Sequence, residues 1–179
     1  MSNTETNPKT ATESRGFLWW HAVVIFVIAN LVSALPAGYG GDKIFYNNFE
    51  QPSFSPPDWL FAPMWLFLNI TSLIALSIVA NSPEQSTRRR AFLILEGIGW
   101  VLFAIFTTLY FLMHSPILGA VDTVSGLAVG FGSLFCCASI SQRATFFILF
   151  RVLWLGIASY VSLYVAVHNA DEFFRNLGG

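Results

Sequence analysis

Five long runs almost free of charge constrain this chain more than anything else in it: residues 17–36, 59–80, 91–113, 117–140 and 144–167. Each holds 20 to 24 residues. As helix, at about 1.5 Å per residue, each matches a hydrocarbon layer of about 30 Å. Helix is the spanning form that satisfies every backbone polar group within the segment. A small β-barrel needs strands of about ten residues with alternating polarity, and the sequence has none. Composition agrees. Hydrophobic residues make up 55% of the chain and charged residues 11%, under half the roughly 25% of a typical soluble domain. A soluble protein of this size buries too little surface to hide that much apolar area. The expected fold is an all-α membrane protein, a five-transmembrane-helix bundle over residues 17–169 in a lipid bilayer. A polar tail, residues 1–16, precedes it and reads as disordered, and a short tail, residues 170–179, follows. The first run lacks the basic-then-apolar build of a cleaved signal peptide and reads as a helix that stays. Net charge is −1, so there is no basic field for nucleic acid. Cys136 and Cys137 are adjacent within an apolar run, unlike a disulfide framework or a metal site with spaced ligands.

Orientation follows from Lys and Arg beside the spans. Lys9, Arg15, Arg88, Arg89, Arg90 and Arg143 fall on the side of the N-terminus, against Lys43 and Arg175 opposite. In a plasma membrane this places the N-terminus in the cytoplasm, with the run from Arg88 to Arg90 as a topology anchor at the headgroups.

The connection between the first two spans, residues 37–58, is the long one. It carries Gly38, Gly40 and Gly41, then Pro52, Pro56 and Pro57, with Tyr39, Phe45, Tyr46, Phe49 and Phe54 between them. Two readings stand: a lid folded over the helix ends, or an interfacial aromatic belt. The second span opens with Pro57 and Asp58, which suit a first helical turn and the positive end of the helix dipole. Pro63 lies deeper, where it frees a carbonyl one turn earlier. Trp59, Pro63 and, less closely, Trp65 lie toward one side of this helix, and large flat side chains beside a kink are one way to form a cavity.

Three ionisable residues fall within spans: Glu96, Asp122 and Arg151. Such residues are costly in lipid and face the bundle interior or water. Glu96 and Arg151 enter from the same side to depths of about 8 and 10 Å at 1.5 Å per residue, so they are expected to pair, leaving Asp122 near the outer rim. Arg151, Trp154 and Ala158 share one face of the fifth span, where a charge, a large ring and a small residue could line a pocket. Gly126 and Gly130 form a small-xxx-small motif, followed by Gly132 and Ser133, which serves either a homodimer or internal packing. His21, His114 and His168 fall in three elements without ligand spacing, so no metal site is expected.

With these residues in view, the chain resembles the TspO/MBR family, the tryptophan-rich sensory proteins of bacteria and the translocator proteins, or peripheral benzodiazepine receptors, of mitochondria. The family pattern is roughly W-Y-x-x-L-x-K-P-x-W-x-P-P-x-W-x-F-x-P-x-W. The chain keeps Tyr46, Pro52, Pro56, Pro57, Trp59, Phe61, Pro63 and Trp65 in register, with Phe45, Phe49, Gln51 and Phe54 as replacements. In the fifth span Trp154 and Ala158 match, Asn169 falls near a later family Asn, and Phe150 and Arg151 replace a Pro-Tyr pair. The family's Asn and Trp of the third span fall on Trp100 and Phe103. The chain reads as a divergent relative.

The resemblance implies a ligand pocket under the first loop, with Tyr46, Pro52, Phe54, Pro57, Trp59, Phe61, Pro63, Trp65, Arg151, Trp154 and Ala158 as its expected residues. Related proteins bind tetrapyrroles such as protoporphyrin IX and haem, some bind cholesterol or benzodiazepine-type drugs, and many dimerise. Stacked rings and a dry pocket suit such flat ligands, and Arg151 or Lys43 could meet the propionates of a porphyrin. No basic residue follows Tyr164 closely enough for the proposed sterol motif. The expected function is a membrane receptor or binding protein for a tetrapyrrole or another apolar small molecule, with porphyrin or haem as ligand rather than obligate cofactor, in stress sensing or tetrapyrrole handling. A transporter of such molecules is the alternative, although no internal repeat supports one. Light-driven porphyrin breakdown comes third, since no residue set demands catalysis.

Overall fold

A computed structural model describes residues 16–36, 45–83 and 86–178. The expected disordered tail lies almost wholly outside them, as do Tyr39 and Lys43 in the first loop. The described residues form helices and turns. In chain order the helices are α1 (Trp19–Ala34), α2 (Asp58–Ala80), α3 (Thr87–Thr107), α4 (Pro116–Ala138), α5 (Gln142–His168) and the short α6 (Glu172–Leu177). Four of them, α2 to α5, are long and apolar enough to cross a membrane. The first expected span is shorter, 16 residues in α1, about 24 Å at 1.5 Å per residue. α3 runs on into a π-helical turn, Thr108–Leu112.

The boundaries have local causes. Ser86, Ser115 and Ser141 each accept a backbone N–H from the first turn of the helix that follows, which satisfies an otherwise orphaned donor. Pro116 stands in the first turn of α4, where its missing N–H costs nothing. At the end of α2 the Arg89 guanidinium donates to the carbonyls of Val79 and Ala80. At the opposite end Asp171 caps α6, takes the Ser115 hydroxyl at 2.7 Å and takes the Ile117 N–H at 3.0 Å. Burial works to raise the Asp171 pKa, but the Ser115 hydroxyl and the N–H groups of Phe174, Ile117 and Phe173 outweigh it and hold the carboxyl below its ordinary value. This tie is therefore intact above the usual carboxylate range and is lost as pH falls through the lowered folded value.

The surface is that of a protein in lipid, around an interior that holds an apolar cluster with Leu73, Phe92 and Ile148 beside polar side chains. Large apolar side chains such as Ile28, Val101, Phe131 and Leu153 face outward, whereas Asn69, Ser72, Thr123, Ser133 and Ser159 are buried. α4 lies along α5 and α3, α2 lies against α5, and α1 leans chiefly on α3. The small-xxx-small motif acts inside the chain. A Cβ on Gly130 would stand 3.3 Å from Val152 Cγ2, one on Gly126 would meet Leu155, and one on Gly132 would reach Leu95 of α3 at 3.0 Å. These glycines let α4 approach α5 and α3 closely.

The ion pair between Arg151 and Glu96 is formed. Nη1 donates to Glu96 Oε2 at 2.9 Å and to Ser72 Oγ at 3.2 Å, and Nη2 donates to Oε1. Glu96 has no exposure. One guanidinium thus joins α5, α3 and α2. Asp122, expected near the outer rim, stands seven residues into α4, is 7% exposed and lines the interior of the bundle rather than facing lipid. Removing one member of a buried pair leaves an uncompensated charge. Glu96→Ala and Arg151→Ala should each cost about 3–5 kcal/mol of stability. The apolar double variant Glu96→Leu/Arg151→Met should lie closer to the parent than either. Unfolding midpoints in detergent measure this.

Candidate ligand cavity

A cavity of about 490 Å³ is lined by residues from α1 to α5 and from the first loop. That volume lies within the range of sites for small organic ligands. Two chains of rings form much of its wall. Tyr46 meets Phe61 at 5.2 Å between centroids, and Phe61 meets Trp154 at 5.7 Å, both edge to face. Trp65 meets Phe103 at 5.4 Å, and Phe103 meets Trp100 at 5.9 Å. The first chain links the loop to α2 and α5, the second links α2 to α3. Phe106 and Tyr110 stack nearly parallel where α3 enters its π-helical turn. Gly119 leaves room for Tyr110, since a Cβ there would stand 2.4 Å from the ring.

The contribution of α2 follows from helical period. Asp58, Phe61, Ala62, Trp65, Asn69 and Ser72 all line the cavity, at the three- and four-residue spacing of one face. Trp59 and Pro63 fall one position off this stripe. Trp59 is accordingly 65% exposed, and Pro63 is exposed as well. Of the residues expected from the sequence, Tyr46, Phe61, Trp65, Arg151, Trp154 and Ala158 line the cavity. Pro52, Phe54, Pro57, Trp59 and Pro63 do not. Pro52 is buried within the loop, Pro57 is the N-cap of α2, and Phe54 stacks on Tyr160 at 4.8 Å on the outside of α5. Pro56 and Asp58 line the cavity at the loop end, where Pro57 was expected. Sequence reasoning passed over Asn30, Phe106 and Tyr110, which carry no motif. It met Trp100 and Phe103 as faint family positions and Asp122 as an intramembrane charge.

The described part of the loop is fastened over this end. The Tyr46 hydroxyl lies 2.9 Å from Ser55 Oγ and donates to the Pro56 carbonyl at 3.2 Å. Burial raises the Tyr46 pKa above its ordinary value, opposed by the Ser55 hydroxyl and aided by Asp58, so the phenol stays a donor throughout the neutral range. Gln51 donates to the Tyr46 carbonyl at 2.7 Å. Phe45 stacks on His114, and Phe49 leans on Tyr110. His114 holds a left-handed backbone, φ 52°, which turns the chain sharply from α3 into α4. Asn169, just past α5, accepts the Glu50 N–H at 2.8 Å and donates to the Glu50 carbonyl at 3.0 Å, while Tyr164 donates to the Glu50 carboxylate. The described segment is joined to the ends of α3 and α5, and its Tyr46 and Pro56 line the cavity while Phe54 is exposed.

Within the cavity wall, Asp122 Oδ1 and the indole nitrogens of Trp100 and Trp154 are buried without hydrogen-bond partners among the described residues.

A multi-pass helical membrane protein with an aromatic cavity beneath its first loop is the class these features define. The sequence matches the TspO/MBR family over residues 22–168, and the chain belongs to that family. It is similar to the tryptophan-rich protein TspO of Chlorobaculum tepidum, 28% identical over 125 residues, 70% of this chain and 79% of the relative. It is also similar to the tryptophan-rich protein TspO of Archaeoglobus fulgidus, 26% identical over 109 residues, 57% of this chain and 70% of the relative.

Each backbone bond made by Asn169 is worth about 1 kcal/mol. Asn169→Ala should therefore speed amide exchange in residues 45–57 by roughly tenfold, with little change in the middle of α4 and α5. Hydrogen exchange read by mass spectrometry tests this.

Proposed function

We propose that this protein is an integral membrane binding protein, or receptor, for flat and largely apolar ligands, tetrapyrroles among them, serving in their sensing or handling. The observation that carries the reading is the aromatic cavity of about 490 Å³ under a fastened loop. A planar ring system entering there gains stacking and edge contacts with Phe61, Trp65 and Trp154, each ring pair worth about 0.5–1.5 kcal/mol beyond area burial. The polar edge of such a ligand lies toward the loop end, where the Tyr46 hydroxyl lines the cavity. Arg151 is not the partner for propionates in this reading, since Glu96 already holds its guanidinium.

α1 completes the bundle as a fifth span in this reading. Its outer face carries Val24, Ile28, Leu31 and Leu35, all exposed and apolar, and a short span is accommodated by local thinning of the bilayer. Asn81 donates to the Phe17 carbonyl at 2.9 Å, so the start of α1 lies beside the end of α2 and close to the run from Arg88 to Arg90. The excess of Lys and Arg there supports a cytoplasmic N-terminus, with the covered cavity end on the opposite side.

Protoporphyrin IX added to the protein in nanodiscs should bind saturably, read by its absorbance and by a rise in the unfolding midpoint. Trp65→Ala combined with Trp154→Ala should weaken binding at least tenfold, whereas Trp59→Ala leaves it within twofold. Unchanged binding in the Trp65/Trp154 double variant contradicts the proposal.

A further inference from the structure

The polar groups around the cavity differ in how fully they are used. Arg151 is engaged by both Glu96 oxygens and by Ser72, so its charge is cancelled at the deep end. Asn69 donates to Asn30, which donates to the Phe26 carbonyl. Thr123 donates to the Gly119 carbonyl, and Ser162 donates to Thr123. Asp58, at the loop end, accepts the Trp59 N–H at 2.7 Å. Three lining groups are unused among the described residues: the indole N–H donors of Trp100 and Trp154, and Asp122, the one charged group among them. Asp122 is 7% exposed, and its Oδ1 has no partner among the described residues.

A carboxylate oxygen in that position is an acceptor waiting for a donor, because an unmatched buried polar group is costly. The charged residues lining the cavity are Asp58 on α2, Asp122 on α4 and Arg151 on α5, with Glu96 of α3 behind Arg151. Two carboxylates therefore face a ligand, and the cation that lines the cavity is already neutralised. Low effective dielectric strengthens both the attraction of this wall for a cation and its repulsion of an anion.

Resting on the binding-protein reading above, we propose that Asp122 determines ligand specificity: the cavity favours flat aromatic ligands bearing a protonated nitrogen over ligands of the same shape bearing a carboxylate. The ammonium donates to Asp122 while the ring system lies among Phe61, Trp65 and Trp154. A ligand whose acids sit at one edge is accepted only with that edge turned away from both Asp122 and Asp58.

A matched anthracene series tests this: 9-(aminomethyl)anthracene, 9-anthracenemethanol and 9-anthracenecarboxylate, titrated by fluorescence against protein in zwitterionic nanodiscs, with empty nanodiscs subtracted. The amine should bind at least tenfold more tightly than the carboxylate, with the alcohol between them. Asp122→Asn should reduce the amine-to-carboxylate ratio to within twofold while the alcohol binds as before. Asp122→Glu should keep the preference, and it serves in place of Asp122→Asn should that variant fail to fold, beside the parent ratio itself. A carboxylate bound as tightly as the amine by the parent, or a ratio untouched by Asp122→Asn, overturns the proposal and leaves the cavity reading standing. If none of the three binds, the cavity reading falls and the specificity proposal falls with it.

Discussion

A charged side chain in the middle of a bilayer needs a partner, and the pairing of Arg151 with Glu96 organises the rest of this molecule. An isolated guanidinium or carboxylate there would be prohibitively costly. Joined on two bonds and steadied by Ser72, the pair brings α2, α3 and α5 to one point. Ser72 and Arg151 also line the cavity, which lies between these helices. Its floor is therefore polar but electrically closed, which distinguishes it from a site built to receive an anion deep in the bundle.

The same solvent explains the division of labour among the helices. Lipid is as apolar as leucine, so apolar side chains gain little by facing inward, and close contact is achieved by small residues instead. α4 supplies Gly126, Gly130 and Gly132 for that purpose. The large rings are then free to form cavity walls rather than a filled core. The first loop, helical at residues 45–47, holds its place at the cavity end through Asn169, Tyr164 and Tyr110.

Much of this was legible in the residues. Charge-poor runs of membrane-spanning length mark α2 to α5 within a few residues, and depth counting along two helices that enter from the same side was enough to pair Arg151 with Glu96. Helical period separates less cleanly than motif identity suggests. Trp59 and Trp65 belong to one motif, yet only Trp65 lies on the stripe that faces inward. The rotation of a helix is set by its neighbours, and an all-apolar helix carries no polar face from which to read it. Phe106 and Tyr110 escaped for the same reason, since the outer half of α3 and its π-helical turn carry no charge from which to read a facing. The length of α1 was overestimated because its apolar run continues past the last helical turn. Asp122 was visible as a charge but not as a cavity residue, because its depth along α4 can be counted while its facing cannot.

The central claim is that the space enclosed by Phe61, Trp65, Trp100 and Trp154 is where a ligand resides. Crystals grown with a brominated flat aromatic ligand would show its position directly through anomalous scattering. The account predicts a bromine peak inside the bundle, between the α2 and α5 rings and beneath Tyr46. A peak on the lipid-facing side of α1 or beside Trp59, with the interior empty, would contradict it.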